Sequence, residues 1–501
     1  MGVDRISTAR GVAGLLADAA GRWPERTAII ETGTGGKLTW RELDEAAHAQ
    51  ARQLVSAGVG PGDPVVLRLP TSADFAVALF AVLRAGGIAV PLSPQAPAPE
   101  LERLLAHSGA KLVVQRDDAE LPEGVAGLPP RGSVAGEPVD LGRTGEDIAV
   151  ISYTSGTTGP PRGVLLSHRA LLANLTQLSE VDGVLEQNDR VLVSIPLFHV
   201  YGLGPGLLMS TAVGATLVLS ERFEPQRTLD DIAEYGVTVI TGVPAMYGGF
   251  AALGQDELRR GLATVRRMTS GAAPLHPKVL ASIREATGLD VYEGYGLTEC
   301  APVVTSTLVT GYPKPGSVGR PLPGIELRLV EPDGSAGELP LDPEDPDDVF
   351  ESGGSTGLVS VRGANLFSGY WPDGAHGPDA EGWFRTGDVG YLDSDGDLHL
   401  VDRANDLIIV NGFNVFPHEV EEVISQLPGV AEAAVVGVVD DRSGEAVKAV
   451  VVPVEGAALS EQQVVDQCAA QLAGYKVPHT VEFAESLPHS ATGKLRRLKL
   501  R

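Results

Sequence analysis

Cysteine is almost absent from this chain: Cys300 and Cys468 are the only two in 501 residues. Two thiols cannot build a disulfide framework, so the fold has to rest on buried apolar surface, as suits a reducing compartment. Positive charge is also scarce, with 39 Lys and Arg against 65 Asp and Glu and a net charge of −26. Such a surface repels polyanions and argues against nucleic acid as a partner. An anionic small molecule must then be drawn in by local positive charge. Lysine itself occurs only 8 times, which marks each one for inspection. Long apolar runs are missing too. The uncharged stretch 201–220 is broken by Gly202, Gly204, Pro205, Gly206, Ser210 and Gly214, which fits a buried helix and strand better than a membrane span. The N-terminus lacks a charged segment followed by an apolar run and a small-residue cleavage site, so no secretory signal is expected and the expected location is cytoplasmic.

What is present is the composition of a soluble globular protein, 43% hydrophobic and 21% charged, in a chain long enough for two or more domains. From residue 37 short apolar runs alternate with longer amphipathic ones: 65–69, 73–84, 88–91, 100–107 and 111–115 read as strand, helix, strand, helix, strand. The rhythm returns with strands at 190–195, 215–219, 237–241, 265–269 and 290–292 and helices at 229–235 and 277–287. This alternation predicts an α/β fold of two layered, largely parallel sheets. Ligands in such folds bind beyond the carboxyl ends of the strands. Segment 311–390 is richer in Gly, Pro and Asp and predicts a small barrel-like or antiparallel β subdomain, with an acidic, turn-rich insertion at 341–355. A boundary falls at Asp402-Arg403-Ala404-Asn405-Asp406. Beyond it, a two-strand signal across Asn411-Gly412, helices at 417–426 and 460–472 and strands at 433–438 and 446–454 predict a small α+β domain. The expected division is 1–402, a hinge at 403–406, and 407–501.

One segment carries chemistry openly. The apolar run 148–153 leads into Thr154-Ser155-Gly156-Thr157-Thr158-Gly159-Pro160-Pro161-Arg162-Gly163, a loop whose backbone N–H groups and short hydroxyls can converge on a polyphosphate. It is not a Walker A loop, because no register places four residues between a first Gly and Gly-Lys-Ser/Thr. Further motifs follow in order: Phe198-His199, Ser270-Gly271-Ala272-Ala273-Pro274, Tyr295-Gly296-Leu297-Thr298-Glu299, Thr386-Gly387-Asp388, Asp402-Arg403, Gly412-Phe413 and Thr492-Gly493-Lys494. By this ordered set, from about Trp23 to the last residue, the chain resembles the adenylate-forming superfamily of acyl-CoA synthetases, peptide-synthetase adenylation domains and beetle luciferases, and most closely its acyl-CoA synthetase branch.

The resemblance implies ATP, Mg2+ and CoA as cofactors and a carboxylic acid as substrate. A carboxylate is ionised at neutral pH and attacks the α-phosphate without a base, so the site's task is electrostatic. In the family's terms, Thr154, Ser155, Gly156, Thr157, Thr158, Gly159 and Arg162 would hold the β- and γ-phosphates. Thr298 would touch the α-phosphate, and Glu299 would ligate the metal, a hard cation suited to carboxylate and phosphate oxygen. Asp388 would accept from the ribose hydroxyls, with Arg403 near ribose and phosphates. Gly271, Ala272, Ala273, Tyr295 and Gly296 would border the adenine. Lys494 would bridge carboxylate and α-phosphate as the acyl-adenylate forms. The second domain is then expected to act as a mobile lid that turns at Asn405 and brings Gly412 and Phe413 to the pantetheine channel, with His199 as a gate rather than a base.

Arg162 stands where the family usually has Lys, and Asn405 where it commonly has Asp or Lys. Phe198, Val200, Val243, Met246, Tyr292 and Gly294 are the expected acyl-pocket walls, mostly apolar. Related malonyl-CoA synthetases are expected to carry an Arg in place of Gly294, so a small dicarboxylate is disfavoured. The expected acid is a medium- or long-chain fatty acid, with an aryl or cinnamate-type acid second. Other readings are an acyl-AMP ligase that loads a carrier protein, a luciferase-like oxygenase, and a non-catalytic nucleotide-binding homologue. The chain is expected to be a monomer or homodimer without a transmembrane segment.

Overall fold

The structure, a computed structural model, describes residues 6, 9–116, 121–132, 134–154, 162–330, 356–403, 408–410, 413–440, 444–472, 474–489 and 495–500. The insertion 341–355 and the hinge residue Asn405 lie outside them. Contacts divide the chain into a first unit, Met1–Glu326 with Arg362–Phe384, and a second, Leu327–Val361 with Arg385–Arg501.

The first unit holds two sheets. One has the strand order Ala126–Leu128, Leu112–Gln115, Pro64–Arg68, Ile88–Pro91, Ile148–Thr154, Arg162–Ser167, parallel except for the last pair. The other runs Arg320–Pro321, Val303–Ser306, Val291–Gly296, Arg267–Ser270, Val239–Gly242, Arg190–Val193, Thr216–Leu219, Thr27–Glu31, Lys37–Thr39. Its middle is parallel and its two ends are antiparallel. Val, Ile and Leu fill the central strands because both faces are covered. Helix Ala73–Arg84 is apolar on every side and buried, apart from half-buried Asp74. Its buried Arg84 donates to the Asp44 carboxylate and, at 3.0 Å, to the Asp44 carbonyl.

The alternation read from the sequence is the alternation found: helices Ala73–Arg84 and Pro277–Thr287 have the expected bounds, and the others shift by a few residues. Segment 201–220 is a helix, partly of π geometry over Gly202–Leu208, followed by strand Thr216–Leu219. Five helices were not read from the pattern, Val12–Arg22, Trp40–Ser56, His168–Ser179, Pro244–Ala251 and Gln255–Gly261. The second has a readable start, because the Thr39 hydroxyl accepts from Glu42 N (3.2 Å) and the Glu42 carboxylate accepts from Thr39 N (2.7 Å). The strand expected at 290–292 runs on to Gly296. Antiparallel pairing of Gly294 with Ser306 and Gly296 with Val303 outweighs the glycines' preference for turns.

The second unit carries most of a four-stranded sheet in the order Ile325–Val330, Gly357–Gly363, Trp383–Leu392, Leu398–Arg403. It also contains a sheet ordered Phe413–Val415, Ile408–Val410, Gly444–Pro453, Val430–Asp440, with Thr480–Phe483 paired to Gly444–Pro453. Val410 pairs with Phe413 across the expected hairpin. Helices Pro417–Ser425 and Glu461–Gln471 bury Val420, Ile424, Val464 and Cys468 against Val435, Ala449 and Val451 of this sheet.

Candidate active site

In the first unit, the phosphate-loop candidates begin and end on paired strands: Thr154 closes Ile148–Thr154 and stands opposite Arg162, which opens Arg162–Ser167. Ser155, Gly156, Thr157, Thr158 and Gly159 lie outside the described residues. The Arg162 guanidinium is 5.5 Å from the centre of the Tyr370 ring, a cation–π distance. Tyr370 in turn donates its hydroxyl to Glu299 Oε1 at 2.7 Å. Burial, and then the nearby Glu299 charge, push the Tyr370 hydroxyl above its ordinary pKa. It therefore stays a donor to the carboxylate at neutral pH.

The turn holding Thr298 and Glu299 is fastened from the same direction. Phe367 N donates to Glu299 O at 2.9 Å, and Asn365 Nδ2 to Cys300 O at 2.7 Å. Gly296 just before it is required by close approach, since a Cβ there would stand 2.1 Å from Pro302 O. Glu299 is thus a half-buried carboxylate whose position is set by protein hydrogen bonds. One oxygen is engaged by Tyr370, and a carboxylate has further lone pairs. Hard carboxylate oxygen with lone pairs to spare fits Mg2+. Tyr370 was not singled out from sequence; its place in Ser368-Gly369-Tyr370-Trp371, far from Glu299 along the chain, gave no signal.

Gly271, Ala272 and Ala273 follow strand Arg267–Ser270, beyond its carboxyl end as expected. Ala272 sits at φ 72°, unusual for a residue with a Cβ and a mark of a constrained loop. The loop is tied down by Glu293, whose Oε1 accepts from Leu275 N at 2.9 Å. Burial raises the Glu293 carboxyl to about 7 against the lowering effect of that N–H. Along Val291–Gly296 burial alternates, so Glu293 and Tyr295 share the covered face while Tyr292, Gly294 and Gly296 share the other. Thr269 pairs with Tyr292. The Thr269 hydroxyl meets Tyr201 Oη at 3.4 Å, and a Cβ on Gly271 would lie 3.1 Å from the Tyr201 ring. Tyr201 is thus a fixed aromatic wall that sequence reading passed over. His199 Nδ1 accepts from Tyr201 N at 3.2 Å, which orients the imidazole at the start of the helical segment. Val200, Val243 and Met246 are buried and Phe198 half-buried.

In the second unit Asp388 and Arg403 are directly paired residues on strands Trp383–Leu392 and Leu398–Arg403. Asp388 is only 8% exposed, and its N–H donates to Thr386 Oγ1 at 3.1 Å, while that hydroxyl donates to Val359 O at 3.0 Å. Phe413 opens strand Phe413–Val415. Lys494 and Gly412 lie outside the described residues. The segment following Lys494 is anchored: Arg497 donates from Nη2 to Glu421 Oε2 at 3.0 Å, from Nη1 to Glu421 Oε1, and from Nη1 to Val435 O at 3.2 Å. Burial alone would raise the Glu421 carboxyl; His418 and Arg497 together hold it below its ordinary value.

A half-buried carboxylate that fits a hard cation, with the Arg162 guanidinium over the tyrosine that holds it, suits an α/β enzyme that handles a nucleoside polyphosphate. Residues 16–371 match the AMP-binding enzyme family, and residues 419–494 match the AMP-binding enzyme C-terminal domain. The chain is 37% identical to a feruloyl-CoA synthase of Amycolatopsis sp over 96% of its own length and 98% of the relative's. It is 33% identical to a long-chain-fatty-acid–CoA ligase of Escherichia coli O157:H7, over 97% and 93% of the two chains. The fold resembles that of o-succinylbenzoate coenzyme A synthetase from Bacillus subtilis in complex with ATP and magnesium ion, with a TM-score of 0.83, 30% identity and 97% and 98% coverage. The chain belongs to the AMP-binding enzyme family and, within this family, to its acyl-CoA synthetase branch. As such it is an AMP-forming acid:CoA ligase that works with ATP, Mg2+ and CoA. Among the described residues no helix is long and apolar enough to cross a membrane.

Proposed function

We propose that the acid is an extended, largely apolar monocarboxylic acid, an aryl-propenoic acid first and a medium- or long-chain fatty acid second. The observation that carries this is the face of strand Val291–Gly296 that holds Tyr292 and Gly294, where no cation stands at 294 to hold a second carboxylate. Tyr201, seated on Gly271 and Thr269, bounds that face with a rigid ring, and a planar conjugated acid loses little freedom against such a wall. The similarity to a feruloyl-CoA synthase supports the same class, and the similarity to a long-chain-fatty-acid–CoA ligase supports the second.

The acid would lie with its carboxylate toward Thr298 and Glu299. Arg162 and the loop from Thr154 would take the β- and γ-phosphates, and Asp388 and Arg403 the ribose side of the nucleotide. Lys494 would bridge carboxylate and α-phosphate as the bond from carboxylate oxygen to phosphorus forms and pyrophosphate leaves. The CoA thiol would then attack the acyl carbon, release AMP and form the thioester. Residues 407–501 would turn at Asn405 between the steps, with Gly412 and Phe413 toward the pantetheine and His199 gating its inner end. Two buried free thiols, Cys300 and Cys468, fit a cytoplasmic location.

The test is carboxylate-dependent pyrophosphate release across short- to long-chain fatty acids, benzoates and cinnamates, with thioester assayed in the same tubes. Preference for cinnamates with CoA-dependent thioester is the expected result. Preference for long fatty acids selects the second reading, and adenylate without thioester moves the acceptor to a carrier protein.

A further inference from the structure

Thr154 and Arg162 stand opposite each other on paired strands, and the strand residues next to them are both held at His107, near the end of helix Ala98–Ser108. We propose that His107 and Trp371 are positioning residues that fix Thr154 and Arg162 for the terminal phosphates of ATP. The inference rests on the reading of Thr154 and Arg162 as phosphate ligands.

The first strand is held by a side chain. Tyr153, directly before Thr154, shares a 2.8 Å hydrogen bond between its hydroxyl and His107 Nδ1, and the two rings meet edge to face with centres 5.6 Å apart. The second strand is held through the backbone. Trp371 N donates at 2.7 Å to the carbonyl of Gly163, directly after Arg162, while the Trp371 indole N–H donates to His107 O at 2.9 Å. One residue thus serves both strands, by its imidazole and by its carbonyl. Gly163 is packed from both sides as well: a Cβ there would stand 3.2 Å from Trp371 Cβ, 3.4 Å from Tyr153 Cε1 and 2.7 Å from Ile151 Cγ2. Such close packing leaves the two strands little room to splay.

The segment that carries Trp371 also reaches the metal-ligand candidate. Tyr370 beside it donates to Glu299 and lies under the Arg162 guanidinium. Leu165 N donates to Gly369 O at 3.0 Å and Ser368 N to Leu165 O at 2.9 Å, so residues 368–371 run along strand Arg162–Ser167. Thr154, Arg162 and Glu299 are thereby held to one frame, as groups must be that meet one triphosphate and its metal. Tyr153 and Trp371 also pack against the apolar cluster of Val66, Val90, Ile151 and Leu165. Phenylalanine at 153 would serve that packing equally, so the polar contact with His107 is what positioning adds.

The test measures the affinity of Mg·ATP and of AMP by titration calorimetry for the wild type, Tyr153→Phe, His107→Leu and His107→Asn. AMP lacks the phosphates that Thr154 and Arg162 would meet, so it reports on the rest of the nucleotide site. Tyr153→Phe and His107→Leu are expected to weaken Mg·ATP by about two- to tenfold, the range of one neutral hydrogen bond, and to leave AMP unchanged. The double variant should weaken it no further than either single one, because both remove the same bond. His107→Asn, whose amide can accept or donate close to the place of Nδ1, should retain the wild-type affinity. Unchanged Mg·ATP affinity in Tyr153→Phe, or parallel losses for Mg·ATP and AMP, overturns the proposal. Arg162→Ala separates it from the reading beneath it. If that variant weakens Mg·ATP and Tyr153→Phe does not, the positioning role fails and the phosphate reading stands; if Arg162→Ala changes neither nucleotide, the phosphate reading fails and the proposal falls with it.

Discussion

Replacing Tyr370 with Phe removes one hydroxyl and leaves the ring in its edge-to-face contact with Phe367, whose centre is 5.0 Å away. What is lost is the 2.7 Å hydrogen bond to Glu299 Oε1. A bond to an ionised carboxylate contributes about 1.5–3 kcal/mol, and loss of an outer-shell partner of a metal ligand commonly costs about 10–100-fold in metal affinity. The two ranges agree, since tenfold is about 1.4 kcal/mol. Tyr370→Phe is therefore expected to raise the Mg2+ concentration for half-maximal adenylation by at least about tenfold. The assay is acid-dependent pyrophosphate release at fixed ATP over a Mg2+ titration. Because the ring packing is retained, the unfolding midpoint should move little. An unchanged Mg2+ dependence would refute the assignment of Glu299 as the metal ligand, or of Tyr370 as its orienting partner. A large fall in stability with normal Mg2+ dependence would show that the hydroxyl serves the fold alone.

The other expectations concern single atoms as well. Glu293 has a folded pKa of about 7, above its ordinary 4.5, so its neutral form stabilises the fold below about pH 4.5 and that contribution is lost as pH rises through 7. The shift corresponds to roughly 3 kcal/mol. Glu293→Gln keeps an acceptor for Leu275 N and should flatten the decline, as read from urea midpoints between about pH 5 and pH 8.5; parallel wild-type and variant curves would contradict it. Lys494→Ala should nearly abolish adenylation yet leave thioester formation from supplied acyl-adenylate largely intact, and equal loss of both steps would sink that division of labour. Gly296→Ala places a Cβ 2.1 Å from Pro302 O and should cost at least about 2 kcal/mol. Gly21→Ala, in helix Val12–Arg22 with open space around the new carbon, should be neutral or stabilising. Equal effects of the two in thermal unfolding would refute the close-approach argument.

Sequence reading reached the layers of the fold because the strands are covered on both faces and the helices are amphipathic or uniformly apolar, so hydrophobic period alone separates them. It stopped strand Val291–Gly296 too early, because glycine reports a turn locally while its ladder partners, Ser306 and Val303, are set by tertiary pairing. It missed Val12–Arg22 and Trp40–Ser56, although the Thr39–Glu42 capping box announces the second. The first begins at Gly11, whose side is closed by His168 accepting from Val12 N, a contact 156 residues distant that no local pattern carries.

The site divides along the same line. Residues whose proposed chemistry is local, such as the hydroxyls and glycines of 154–163 or the Thr-Gly-Asp run at 386–388, are visible as motifs because several neighbours in sequence would serve one ligand. Residues that act through a partner remote in sequence are not visible that way. Tyr370 reaches Glu299 across 71 positions, Glu293 acts through Leu275 across 18, and Tyr201 meets Thr269 across 68.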